Sequence, residues 1–525
     1  MFGTSEVVIQ QDKRFSDSIY WELQRQYFDQ EGIDAWVNQV PFYVTSNPFL
    51  ANCYAEITIR LAQDWIKRYP DSVKEPFYIM ELGTGSGRLS YYILKKLSLL
   101  QKQLKLEDIK FCYVMTDFTE SNLQYWKEHP QLKPYIDSGV LDFAIFDMES
   151  DKEFTLRQKG IMIKENSITN PLIVFANYIF DTVSHDIFTV KNGKIQESLV
   201  KLTTYHGNMK DGKPQNWEEV AISYDEKDIE LPYYNDPAFD ASLEFYKNTL
   251  TESHFLVPIA GMRALRNLRT LCNDRMLVVS SDKGYTHLSD IDHSQYPQMA
   301  FHGSFSMMVN FHAIAKYFEH SGGSSLIQSK RSGIETAVYW SGFNLEEFPE
   351  AHSTVWNNVE RFSPADYFVL HRNISENFQH CKLNTLSAHM AFTDWDPHIY
   401  QKLSKQICEQ IPTGDSEVVE YLASHMDKLA ENFYYLPKIY DVMFDIGIFF
   451  HTLRRYKDAA TYYELSEKYF GEQFGLIYNI ALCQYNFGEM EKALFNFRRA
   501  QKLNPDSDET KEWINFIERE RADNR

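Results

Sequence analysis

Short apolar runs alternate with longer amphipathic segments through the first three fifths of the chain, the pattern of strands joined by crossover helices. The run Tyr78-Ile79-Met80-Glu81 ends in an acid and gives way to Leu82-Gly83-Thr84-Gly85-Ser86-Gly87. Beyond it Leu89, Tyr92, Ile93, Leu97 and Leu100 recur at helical spacing, so the stretch predicts strand, tight loop and helix. Three more runs follow the same plan: Phe111 to Asp117, Leu141 to Asp147, and Pro171 into a polar cluster ending at Thr182. A late strand from Met276 to Asp282 follows a short basic helix with Arg263, Arg266 and Arg269, a face expected to meet carboxylates nearby. Ile19, Leu23 and Tyr27 predict a leading helix between Ser16 and Phe28. The segment from Val40 to Leu50 is extended and turn-rich; its Thr45, Ser46 and Asn47 read as turn or capping residues, or as part of a fold-over on the site. From 201 to 260 the chain is polar and reads as an insertion or cap on the sheet.

Strand patterns fade from about Ser332 and helices take over. The boundary is expected near 335, with an α/β domain over 1–335 and an all-α domain over 336–525. Near the end Met443, Ile446, Gly447, Ala459 and Tyr463 line up with Ile477, Ile480, Ala481, Ala493 and Phe497. The offset is 34 at every pair (481 − 447, for instance), the period of a tetratricopeptide repeat, over about 440–507. The stretch from Asp508 onward reads as a capping helix bearing Trp513 and Phe516. Stacked helix pairs form concave peptide-binding surfaces, so a protein or peptide partner is expected here, with homodimerisation as the other use.

Composition narrows the functional classes. A formal net charge of −20 argues against a broad nucleic-acid surface, which needs concentrated Lys and Arg. The six cysteines are scattered with no C-x-x-C pair, as expected of reduced core residues. His287, His293, His302 and His312 lack metal-ligand spacing, so no metal site is expected. The first residues carry charges and resemble neither a secretory signal nor a transit peptide, and no segment reaches bilayer-spanning length. The expectation is a cytoplasmic protein away from the membrane.

The candidate chemistry centres on Glu81-x-Gly83-x-Gly85-x-Gly87. This spacing resembles the first motif of the class I S-adenosylmethionine (SAM) methyltransferases, whose fold is a Rossmann-like α/β sheet; a dinucleotide fingerprint would need glycine where Arg88 stands. The resemblance implies that Glu81, Gly83, Thr84, Gly85 and Gly87 bind the cofactor. It implies that Asp117 takes the ribose hydroxyls, and that Phe146 and Asp147 hold adenine. Asp117 also has the sequence position of a cap for the helix near Glu120. Asn177-Tyr178-Ile179-Phe180-Asp181-Thr182 is similar to the N-E-x-x-D-A segment of MidA-type methyltransferases, with Tyr178 in place of the acid. Looser matches are Ser46-Asn47-Pro48-Phe49, the strand ending Asp282-Lys283-Gly284, and Phe301-His302-Gly303-Ser304-Phe305 with Ser304 at an acidic position. On that resemblance Asp181 is the first catalytic candidate, Asn177 a neutral positioner, and Asp282 and His302 follow. Asp181 could equally cap a turn. The implied activity is methyl transfer to a protein, with arginine as one acceptor; the alternatives are a small-molecule methyltransferase and a non-catalytic scaffold.

Overall fold

The computed structural model describes residues 5–34, 46–302, 304–329 and 333–523. The expected segment from Val40 to Thr45 and the His302 side chain lie outside them. The chain forms two compact units, Met1–Val369 and Leu370–Arg525.

In the first unit a seven-stranded sheet runs, edge to edge, Ser324–Ile327, Glu335–Ser341, Met276–Asp282, Leu172–Asn177, Phe77–Glu81, Phe111–Asp117 and Leu141–Ile145. The last five strands in that order are parallel, while Glu335–Ser341 is antiparallel to both its neighbours. Phe77–Glu81 lies between Phe111–Asp117 and Leu172–Asn177, so the strand order reverses there. In an open α/β sheet the crevice outside the strands' carboxyl ends at such a reversal is where ligands bind. The strands form where the apolar runs are because both faces of a parallel sheet are covered; every residue of Phe111–Asp117 is buried. Helix Pro48–Arg68 starts where Asn47 Oδ1 accepts from Leu50 N at 2.9 Å and proline fills the first turn. Asn47 is therefore a cap, the simpler of its two readings.

The expected boundary at 335/336 needs correction. It would cut off Glu335–Ser341, which pairs along its whole length with Met276–Asp282. The polar stretch at 201–260 is more than a cap. It supplies parts of a second, antiparallel sheet that also recruits Glu6–Lys13 and Asp186–Lys191. The long strand Lys194–Tyr205 organises it: one edge pairs first with Asp186–Lys191 and then with Glu6–Lys13, and the other with Ala221–Asp228. Glu252–Val257 closes the sheet against Asp186–Lys191.

The second unit is helical. Helices Val442–Thr452, Tyr456–Phe470, Phe474–Asn486 and Met490–Leu503 follow one another through short loops, and Asp508–Asp523 ends the series. The 34-residue pattern is a packing register, for Ile446, Ala459, Tyr463, Ile480, Ala493 and Phe497 are all buried. A Cβ on Gly447 would overlap the Tyr463 ring, so the small residue lets two helices close. Trp513 stacks on Phe497 at 5.5 Å, 4° from parallel, and seals the end of the core.

Candidate active site

The glycine loop connects Phe77–Glu81 to helix Arg88–Leu104, with φ of +61°, +60° and +80° at Gly83, Gly85 and Gly87. Thr84 pins it to the next strand: its N–H donates to Thr116 O at 2.9 Å, and its Oγ1 accepts from Thr116 N at 3.1 Å. Trp126 Nε1 donates to Gly85 O at 2.8 Å. A Cβ on Gly83 would lie 3.1 Å from Ile179 Cγ1 and overlap Cδ1, so this glycine serves close packing as well as its turn.

A cavity opens at the strand ends beside this loop, walled by Gly83, Asp117, Phe146, Asp147 and Asp181 among the expected residues. Glu81, Thr84, Gly85, Gly87 and Asn177 are not among its lining residues. The Glu81 and Asn177 side chains make hydrogen bonds within the protein. The Glu81 carboxylate turns into the interior, where Tyr113 Oη donates to it at 2.7 Å and Ser90 Oγ also donates. Burial pushes its pKa up to about 7, although those hydrogen bonds pull the other way. Asn177 Oδ1 accepts from Tyr54 Oη at 3.1 Å and joins strands to helix Pro48–Arg68.

On one side of the cavity the acids are held by the chain's own donors. Asp117 Oδ1 accepts from Thr119 N and Oγ1 at 3.2 and 3.3 Å, and Oδ2 from Asn122 Nδ2 at 2.8 Å. It is thus a turn cap as well as a wall residue. Burial still raises its pKa. Asp147 meets Arg25 side-on, Nη1 to Oδ1 at 3.0 Å and Nη2 to Oδ2 at 2.7 Å. Arg25 comes from helix Ile19–Glu31, which also lines the cavity through Trp21, Gln24 and Phe28. These residues were missed in the sequence, although Trp21, Arg25 and Phe28 sit at i, i+4 and i+7, the signature of one helix face.

On the other side two acids face each other. Asp181 follows strand Leu172–Asn177 and Asp282 ends its neighbour, Met276–Asp282. Asp181 N donates to Asp282 Oδ2 at 3.3 Å, and Lys283 N donates to Asp282 Oδ1 at 2.7 Å. Asp181 is 7% exposed, and its Oδ1 has no hydrogen-bond partner among the described residues. Burial raises both carboxyls, Asp181 to about 7 with Lys283 opposing the shift, and Asp282 well above its usual range with Asp181 adding to it. Both directions favour a proton shared within the pair, as close like charges demand.

The loop carrying Asp181 is held from several directions. Tyr178 lies in the left-handed region at φ +50°, uncommon for a bulky side chain. Phe180 is fully buried, and a Cβ on Gly261 would come within 2.6 Å of its ring. The Phe180 carbonyl meets His185 Nε2 at 2.7 Å, and the Asp181 carbonyl accepts from Met307 N at 3.1 Å.

A protein-family model described as "Putative S-adenosyl-L-methionine-dependent methyltransferase" matches residues 57–328, just over half of the chain. The chain belongs to that family. Its cofactor is SAM, and the matched residues of this SAM-dependent methyltransferase include the glycine loop, the cavity's Asp117, Asp147 and Asp181, and Asp282 behind Asp181. No curated protein matches the methyltransferase chain. Among solved structures, two Burkholderia thailandensis proteins of one superfamily are similar. An uncharacterised one is 12% identical, with 59% of this chain and 73% of that one covered and a TM-score of 0.34. Another, bound to S-adenosyl-homocysteine, is 14% identical over 59% and 78%, also at 0.34. The 1,6-didemethyltoxoflavin-N1-methyltransferase of the same organism, solved with its substrate and S-adenosylhomocysteine, is 10% identical over 61% and 86%, at 0.27. At these TM-scores the likenesses add no argument of their own.

The residues present suit the cofactor. A loop with three left-handed glycines lies beside the cavity, Asp117 ends strand Phe111–Asp117, and Phe146 and Asp147 follow strand Leu141–Ile145.

Proposed function

We propose that this methyltransferase acts on a protein, with an arginine side chain as acceptor, and that the helical unit recruits the target. The observation that carries the reading is the buried Asp181–Asp282 pair: Asp181 lines the cavity, and its Oδ1 has no hydrogen-bond partner among the described residues. When bound, SAM supplies a methyl group already activated on its sulfonium. What the chain must add is position and a place for a proton. A guanidinium docked on the pair would favour their ionised forms, since an opposite charge within reach lowers a carboxyl pKa. Asp181, held against Asp282 on the adjacent strand end, can orient its planar fork and then accepts the proton that the methylated nitrogen releases. Tyr178 and Ser304 stand where MidA-type enzymes carry acids, so the acceptor reading rests on the Asp181–Asp282 pair. The 34-residue helix pairs fit tetratricopeptide repeats, whose concave faces hold peptides.

The test has two parts. Calorimetric titration with SAM should show saturable binding that Gly85→Arg abolishes. Labelled SAM should then transfer its methyl group into the protein fraction of a cell extract, with methylarginine recovered after acid hydrolysis. Label confined to small molecules would reject a protein acceptor, and label on another amino acid would reject arginine.

A further inference from the structure

Helix Ile19–Glu31 lies outside the residues matched by the family model, yet it forms one side of the cofactor cavity. Its position is firmly set. Trp21 stacks on His185 at 5.7 Å, 12° from parallel, and its Nε1 donates to Phe15 O at 2.8 Å. Gln24 Nε2 donates to Phe305 O at 2.6 Å. At the far end Gly32 lies against Asn122, with an added Cβ 3.7 Å from Asn122 Oδ1, and Asn122 holds Asp117.

Arg25 sits between two groups that belong to the cofactor site. Its guanidinium carbon is 4.6 Å from the centre of the Phe118 ring, and its two terminal nitrogens clasp Asp147. The side chains of this pair are 40% and 24% exposed, and so accessible a pair adds little to stability. What a two-point contact does fix is the plane of the carboxylate. A carboxylate offers about four acceptor directions. On Asp147 the clasp takes one on each oxygen, and Glu149 N takes a second on Oδ1 at 3.0 Å. Among the described residues one direction remains, on Oδ2.

We infer that Arg25 is a positioning residue for the cofactor: it holds Asp147 so that the remaining lone pair of Oδ2 receives the exocyclic amine of adenine. The N-terminal helix thereby completes the nucleobase subsite. The inference rests on the SAM assignment and is independent of the acceptor.

The experiment compares S-adenosylhomocysteine with S-inosylhomocysteine, which carries a carbonyl in place of that amine, by calorimetric titration of the full chain. The wild-type protein should prefer the adenosyl compound by about tenfold or more, the scale of a hydrogen bond to a charged group. Arg25→Ala should weaken adenosyl binding by about tenfold, leave inosyl binding within about twofold, and so remove the preference. Arg25→Lys, which keeps the charge but loses the two-point contact, should fall between and guards against a folding defect in the alanine variant. Equal losses for both compounds, or undiminished preference in Arg25→Ala, would make Arg25 a structural residue and overturn the inference. A wild-type protein without preference would overturn the role of Asp147 itself, while methyl transfer to protein would still stand or fall separately.

Discussion

Four aspartates at the carboxyl ends of the sheet form two pairs with opposite fates. Asp117 and Asp147 are each saturated or nearly so by the chain's own donors, among them Thr119, Asn122 and Arg25. Asp181 and Asp282 are buried against each other: Asp282 accepts from the backbone N–H groups of Asp181 and Lys283, and Asp181 Oδ1 has no hydrogen-bond partner among the described residues. A satisfied acid is a fixed template, suited to reading a ligand that does not react. An unsatisfied acid pair holds a proton it can give up, suited to a group whose charge changes. Residue type is the same in both; the surrounding donors decide the role.

The comparison can be broken most sharply at the acid pair. Asp181→Asn should lower the transfer rate by about 10³-fold, within the usual range for a lost acid–base group, while S-adenosylhomocysteine affinity stays put. Asp282→Asn should cost less, since it acts through Asp181. On the opposite side, Gly83→Val forces a side chain into Ile179 at φ +61°. It should destabilise the protein by about 1–3 kcal/mol, read from denaturant unfolding, and weaken cofactor binding with it. A gentler probe is Gly261→Ala, which pushes Phe180 and, through it, Asp181. The rate should drop about tenfold with cofactor affinity unchanged, because small misplacements at a reacting group are costly.

The acid pair also sets how stability depends on pH. Asp181 has a folded pKa of about 7, above its unfolded value near 3.8. Between those values the folded chain holds a proton that the unfolded chain has lost, so stability falls as pH rises from about 4 to 7 and then levels. Asp181→Asn lacks that decline and should exceed the wild type by about 1–3 kcal/mol at pH 8, with no advantage at pH 4. The transfer rate should move the other way, rising through pH 7 as the base form appears. An Asn variant less stable than wild type at pH 8 would show that the carboxyl is not frustrated.

Much of this was legible in the sequence. Buried parallel strands read as continuous apolar runs, so the strands ending at Glu81, Asp117, Asn177 and Asp282 stand out, each with its polar end at the ligand edge. The second sheet was not legible. Lys194–Tyr205 mixes buried and partly exposed positions, and one of its partners, Glu6–Lys13, lies far away in sequence. Strand Glu335–Ser341 was lost because it follows the point where strand–helix alternation stops. The leading helix was expected, but Ile19, Leu23 and Tyr27 are half-buried while the buried face is Tyr20, Trp21 and Gln24. Reading the stripe one position off hid Arg25. That Glu81 faces inward depends on Ser90 and Tyr113, contacts that no local pattern announces.

The most direct measurement sets Asp181→Asn beside Asp147→Asn and records, for each, S-adenosylhomocysteine affinity and single-turnover methyl transfer at saturating cofactor. The expected pattern is crossed. Asp181→Asn keeps its affinity within about twofold and loses transfer; Asp147→Asn loses about tenfold in affinity and keeps transfer. If both variants lose the same quantity, the two pairs of aspartates do not divide the work, and the account is wrong.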